Sequence, residues 1–286
     1  MRRDRIALLV LLTVSLAAGC SVEKEEEAEE LVIELSESDQ TESEDSQAEK
    51  ETGSFGKIEV GEKEQVQETD KKGILISIDP GHQSSAIDMG ELEPNAPGSD
   101  VMKMKATGGT AGVYSGLAEY ELNLEISLQL RDKLEAQGYD VMLTRENNET
   151  AISNAERAQM ANEAGADMSV RIHANGSENP GANGALVLIG SAENPYVGGL
   201  FEQSYSLGQS VLDAYCASTG MQNLGVQFND TMTGINWSQV PVMILEMGFM
   251  TNQQDDLNMA DLDYQVKMVD GIVDGINVYC ENWIIP

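Results

Sequence analysis

The chain predicts an α/β fold: one domain built on a largely parallel sheet with helices on both faces. Three observations carry this. Apolar runs of strand length alternate with amphipathic runs of helix length from residue 73 to the C-terminus, the long helical stretch at 119–137 is stopped by Gly138, and several strand runs end in chemistry-bearing residues. The first run, ILISIDPGH at residues 74–82, breaks at Asp-Pro-Gly and delivers His82 where the strand stops. The only other histidine, His173, ends the run MSVRIH, and a third run, VPVMILE, ends at Glu246. In open α/β sheets ligands gather at the carboxyl ends of strands, so these ends can share one site.

Residues 1–20 have the layout of a secretory signal. Arg2, Arg3 and Arg5 precede an apolar core at 6–16 that is short for a bilayer span, followed by Ala-Ala-Gly-Cys. The small residues before Cys20 resemble the lipobox of bacterial lipoproteins, in which that cysteine is lipidated and anchors the mature chain to the membrane. Ala17 stands where that motif prefers leucine. Ordinary secretion with release is the alternative; either route takes the chain out of the cytoplasm.

A linker follows at residues 21–72. Its first 50 residues hold 19 acidic and 4 basic side chains and one aromatic, Phe55. That composition buries too little apolar surface to offset the entropy of ordering, so it reads as a disordered tether with an end-to-end distance of roughly 40 Å. Residues 71–286 carry 29 acidic and 10 basic side chains. A domain this acidic repels phosphate backbones, which argues against nucleic acid and against anionic membrane surfaces as partners.

Within the domain at 73–286, residues 83–118 are rich in Gly, Pro and Ser without sustained periodicity, and read as a loop that either covers substrate or merely varies at the surface. Glu119 opens a helix through 137. Leu122, Ile126, Leu130 and Leu134 mark its packed face, on which Glu119 also falls. A carboxylate there is paired, bound to a cation, or placed for the helix dipole. Residues 139–145 read as a strand, 151–164 as a helix, 166–173 and 184–190 as strands, 200–219 as a helix, 220–239 as a polar loop, 240–246 as the last strand and 264–282 as the closing helix. The three cysteines show no metal-site spacing, and the state of Cys216 and Cys280 is open.

Zinc takes nitrogen and oxygen ligands, and a catalytic site keeps three protein ligands and one open position. His82, Glu119 and His173 supply such a set, with Glu246 free to act as general base and Asp79 placed to accept a hydrogen bond that orients a ligand. The spacings, 37 and 54 residues, are too long for a local motif.

Five strings in order resemble one family: DPGH at 79–82, E-x-x-x-N-L at 119–124, LTR at 143–145, RIHAN at 171–175 and VPVMILEMGFMTN at 240–252. They look like the zinc-dependent N-acetylmuramoyl-L-alanine amidases, the amidase type 3 family of cell-wall hydrolases. The resemblance implies a mixed, mostly parallel sheet and cleavage of the amide between N-acetylmuramic acid and the L-alanine of the peptidoglycan stem. It also implies Zn2+ held by His82, Glu119 and His173, with Glu246 catalytic. The chain departs at Gln83, where a glycine pair is usual, at the longer 83–118 segment, at Tyr120 and at Arg171. A non-catalytic peptidoglycan-binding lipoprotein that kept the fold, and a zinc peptidase acting within the stem, are the competing readings. No sequence feature identifies an activating protein.

Overall fold

The computed structural model describes residues 71–283; the signal segment, Cys20 and the acidic linker as far as residue 70 lie outside the described residues. Six strands form one sheet: β1 (Leu75–Pro80), β4 (Asp140–Leu143), β5 (Met168–Asn175), β6 (Ala185–Ile189), β7 (Asn223–Phe228) and β8 (Val242–Phe249). Their spatial order is β4-β1-β5-β8-β6-β7. All neighbours are parallel except β8 and β6, which run antiparallel, so the sheet is mixed and mostly parallel.

Helix α1 (Glu119–Ala136) carries the chain from β1 to β4, and α2 (Asn154–Ala164) carries it back past β1 to β5. These crossovers step in opposite directions, and right-handed connections therefore put α1 and α2 on opposite faces. On the α1 face lie α3 (Phe201–Thr219) and α6 (Leu262–Trp283); on the α2 face lies the short α4 (Thr233–Asn236). The apolar core sits under α1, α3 and α6, where Ile76, Ile78, Val170, Ile172, Met243 and Leu245 meet Leu122, Ile126, Val211, Leu212 and Ile272. Residues of opposite parity on β1 and β5 face α2 and are polar yet buried: Ser77, Asp79, Ser169 and Arg171.

Local signals agree with these boundaries. Ser153 caps α2, its hydroxyl accepting from the Glu156 amide at 3.2 Å while the Glu156 carboxylate accepts from the Ser153 amide at 2.7 Å. Gly165 ends that helix in the left-handed region at φ 66°. Cys216 and Cys280 are free thiols. No described helix is long and apolar enough to cross a membrane.

Three differences from the sequence reading have physical causes. The 83–118 segment contains a hairpin, β2 (Leu92–Pro94) against β3 (Met102–Met104). It points Leu92, Met102 and Met104 outward and Glu93 inward, so its polarity is inverted and its strands are three residues long. The Glu93 carboxylate caps the Ala155 amide at 3.1 Å, and the Trp237 indole donates to the Pro94 carbonyl at 2.9 Å; together they dock the hairpin beside the sheet. The edge strand β7 is half-exposed and contains Gly225 at φ 84°, which hides it inside a polar stretch. Helix α5 (Gln253–Ala260) is short and polar and follows β8 directly, with the Asn252 side chain capping its first amides.

Helices α3 and α6 cross closely because Gly271 and Gly275 leave out two side chains. A Cβ at Gly275 would come within 2.3 Å of the Val211 Cα, and one at Gly271 within 2.7 Å of the Tyr215 Cα. Gly275→Ala gains about 1 kcal/mol of helix propensity but must push backbone against backbone, an overpacking cost of about 1–3 kcal/mol or more. The variant should therefore unfold at lower urea concentration than the parent, whereas Gly199→Ala, with open space around it, should leave the midpoint nearly unchanged.

Candidate metal centre

The first residue of the site is a strained one. His82 follows β1 with φ 61°, the one described non-glycine residue at positive φ, a conformation that costs roughly 1–2 kcal/mol. Two buried arginines hold the turn that imposes it. Arg145, at the end of β4, donates from Nε to the Pro80 carbonyl at 2.9 Å and from Nη2 to the carbonyls of Gly81 and Tyr120 at 3.0 and 2.8 Å. Arg157, on α2, reaches the Pro80 and His82 carbonyls at 2.8 and 2.9 Å. The His82 ring is then fixed at both nitrogens: Nδ1 donates to the Thr107 carbonyl at 3.0 Å, and Nε2 lies 3.2 Å from Glu119 Oε1.

Glu119 stands at the first position of α1, 3 % exposed. Its Oε1 also lies 3.3 Å from His173 Nδ1 and accepts from the Ala174 amide at 3.1 Å, while Oε2 accepts from the Thr110 amide at 2.8 Å. Burial opposes ionisation, but hydrogen bonding with His173 and His82 holds the carboxyl well below its ordinary range. Gly109, at φ 75°, passes so close that a Cβ there would lie 2.5 Å from Oε2.

His173 comes from β5, just before a register shift between β5 and β8. Its ring meets that of His82 edge-on, centroids 4.8 Å apart at 78°. Gly81 lies against the same ring, where a Cβ would come within 2.2 Å. Burial lowers its pKa to about 4 despite the pull of Glu119, so the imidazole is neutral at neutral pH, the form that ligates a cation. Ligand atoms of His82, Glu119 and His173 all lie within 4.8 Å of one another, and two imidazoles with one carboxylate suit zinc.

Glu246 sits beside His173 in the β5–β8 register. Loss of water, with Glu119 adding repulsion, pushes its carboxyl up to about 8. All four residues line one cleft of about 860 Å³. The 83–118 segment forms one of its walls through Lys103, Met104, Thr107 and Thr110, so it borders the site.

The expected role of Asp79 needs correction. It touches neither imidazole: Oδ1 takes Arg157 at 2.8 Å and the Thr144 hydroxyl, and Oδ2 lies 2.9 Å from Arg171. Burial raises its pKa, but the two guanidiniums outweigh that and hold it well below the usual carboxylate range. It therefore supports the turn through Arg157. Arg145 and Arg157 were not assigned by sequence reasoning. Arg145 lies in one of the quoted strings, whereas Arg157 shares the buried face of α2 with Ala158 and Ala161 and carries no local signal.

Comparison with known proteins agrees with this geometry. The Amidase_3 family model, N-acetylmuramoyl-L-alanine amidase, matches residues 76–278. The chain is 31 % identical over 170 residues to the uncharacterized protein YqiI of Bacillus subtilis, covering 59 % of this chain and 78 % of that one. It is 28 % identical over 207 residues to the amidase LytC of Bacillus subtilis, covering 72 % of this chain and 36 % of LytC. Among solved structures, the amidase Ami1 of Mycobacterium smegmatis superposes with a TM-score of 0.67 at 28 % identity, covering 75 % of this chain and all of that one. On the match over 76–278, with the sheet and site just described, the chain belongs to the N-acetylmuramoyl-L-alanine amidase family of cell-wall hydrolases.

Proposed function

We propose that this chain is a zinc-dependent N-acetylmuramoyl-L-alanine amidase, cutting the amide that joins the lactyl group of N-acetylmuramic acid to the L-alanine of the stem peptide. The observation that carries this is the convergence of His82, Glu119 and His173 beside Glu246 in one open cleft. Zinc bound to the three ligands would acidify a water and polarise the scissile carbonyl.

The chain's own residues supply the rest. Glu246 accepts the proton of the attacking water and returns it to the alanine nitrogen as the amide breaks. Its raised pKa favours keeping that proton until the amine leaves, and a cation beside it favours the ionised form needed at the start. The Thr107 carbonyl fixes the tautomer of His82, and Gly81 leaves room for the His173 ring. The cleft is bounded on one side by residues of β3 and on another by residues of α4.

We further propose that residues 1–19 are removed as a lipoprotein signal, that Cys20, then the first residue, anchors the protein to the outer side of the membrane, and that the acidic linker lets the domain reach the wall. This reading rests on the sequence of the N-terminal segment.

Glu246→Gln should retain one equivalent of zinc and lose about 100-fold or more of the activity on purified peptidoglycan, measured by release of stem peptides with a free alanine amino terminus. Fragments cut within the stem would instead make the protein a peptidase, and wall binding without products a binding protein. Chelation should stop release and added zinc restore it. Cys20→Ala should move the protein from the membrane fraction to the medium, or trap the uncleaved precursor, by immunoblot of fractionated cells.

A further inference from the structure

The face of the sheet under α2 buries one carboxylate against two guanidiniums. Asp79 meets Arg157 at 2.8 Å and Arg171 at 2.9 Å, each with a side chain under 5 % exposed. Among the described residues the only other carboxylate acting on Arg171, that of Glu93, does so through space without forming an ion pair, and a buried guanidinium so placed is costly unless something answers it more closely. Arg157 commits its other donors to the Pro80, His82 and Ile152 carbonyls and to the Gln83 side-chain oxygen. Arg171 does not: Nη2 also donates to Asn154 Oδ1 at 3.1 Å, Nε is sealed from solvent without a partner, and Nη1, the nitrogen beside Gly234, has no hydrogen-bond partner among the described residues.

Arg171 is not sealed away, since it lines the same cleft as the metal ligands, together with Asn154, Gly234, Ile244 and Glu246. It lies two residues before His173 on one strand, hence on the same face and roughly 6.7 Å further along. The opposite wall makes room for it: a Cβ on Gly234 would come within 1.3 Å of Arg171 Nη1. The other basic residue of the cleft, Lys103, already donates to the Thr231 carbonyl across the mouth. In a chain of net charge −32, an anion entering this cleft meets one buried cation with a donor to give.

Resting on the amidase reading, we infer that Arg171 determines specificity by taking a carboxylate of the stem peptide. In peptidoglycan the residue after L-alanine is a glutamate joined through its side-chain carboxyl, which leaves its α-carboxyl free or amidated. From the scissile nitrogen across alanine to that group is about two residues of extended chain, roughly 7 Å. This matches the step from His173 to Arg171. A guanidinium binds the carboxylate through charge-assisted hydrogen bonds and has less to offer the amide, so the enzyme selects stems whose α-carboxyl is free.

The test compares kcat/KM for N-acetylmuramoyl-L-alanyl-D-isoglutamate and for its isoglutamine counterpart. The parent protein should favour the carboxylate by roughly tenfold to a hundredfold, the range of a hydrogen bond to a charged group. Arg171→Met should slow the carboxylate substrate alone, bring the two together, and leave bound zinc unchanged by metal analysis; Arg171→Lys should recover part of the preference. Equal rates on both substrates for the parent, or equal slowing of both by Arg171→Met, would show that Arg171 only balances Asp79 and would overturn the inference. Should Arg171→Met fail to fold, the parent's ratio alone decides. If neither substrate is cut while the zinc-loaded protein is folded, the amidase reading itself has failed and this inference falls with it.

Discussion

Two guanidiniums, of Arg145 and Arg157, take the carbonyls of Pro80, Gly81, His82 and Tyr120 in five hydrogen bonds of 2.8 to 3.0 Å. The geometry of the centre depends on this. Left-handed backbone at His82 costs roughly 1–2 kcal/mol, while a hydrogen bond from a charged donor contributes about 1.5–3 kcal/mol, so even two of the five outweigh the strain. The bond to Tyr120 ties the end of β1 to the first turn of α1, where Glu119 begins. The separation of His82 from Glu119 is thus set by arginines whose hydrogen bonds here go to backbone carbonyls and not to the side chain of either residue.

Electrostatics then explains the ordering of protonation within the cleft. Glu119, with two backbone amides and two imidazoles around it, stays ionised despite burial. Glu246 has no such company, and the charge of Glu119 acts on it as repulsion, which adds to burial in pushing its carboxyl up to about 8. Two carboxyl groups in one cleft with opposite shifts are what the proposed division of work between holding a cation and moving a proton requires. A divalent cation beside them would relieve the repulsion and release Glu246 to act as a base near neutral pH.

Much of this was legible in the sequence. The runs at 74–82 and 166–173 alternate because one face of each packs on the apolar core, the run at 240–246 is apolar up to Glu246 because both its faces are buried, and their ends delivered His82, His173 and Glu246 to one edge. Glu119 was legible because Leu122, Ile126, Leu130 and Leu134 fix which way α1 faces. The hairpin of β2 and β3 was not, because a three-residue strand has no measurable period and this one turns its apolar side chains to solvent. Asp79 was legible as a buried acceptor but not as a partner of Arg157 and Arg171, since both arginines come from distant elements. Strand alternation reports which face a residue is on, never what stands opposite.

The polar face of the sheet ties these points together. A parallel sheet covered on both sides is ordinarily apolar on both, yet β1 and β5 present Ser77, Asp79, Ser169 and Arg171 to α2, all buried. Buried polar groups of this kind need partners or function to offset their desolvation. Here Asp79 and Arg171 belong to one connected system, running from Asp79 through Arg157 to the His82 turn and through Arg171 to the cleft floor, while the Ser77 hydroxyl has no partner among the described residues. His173 and Glu246 continue the same face at the carboxyl edge. The alternation that marks these segments as strands therefore also separates their labour: the even positions of β1 and β5 hold the core together, and the odd ones carry charge from the interior to the site of reaction.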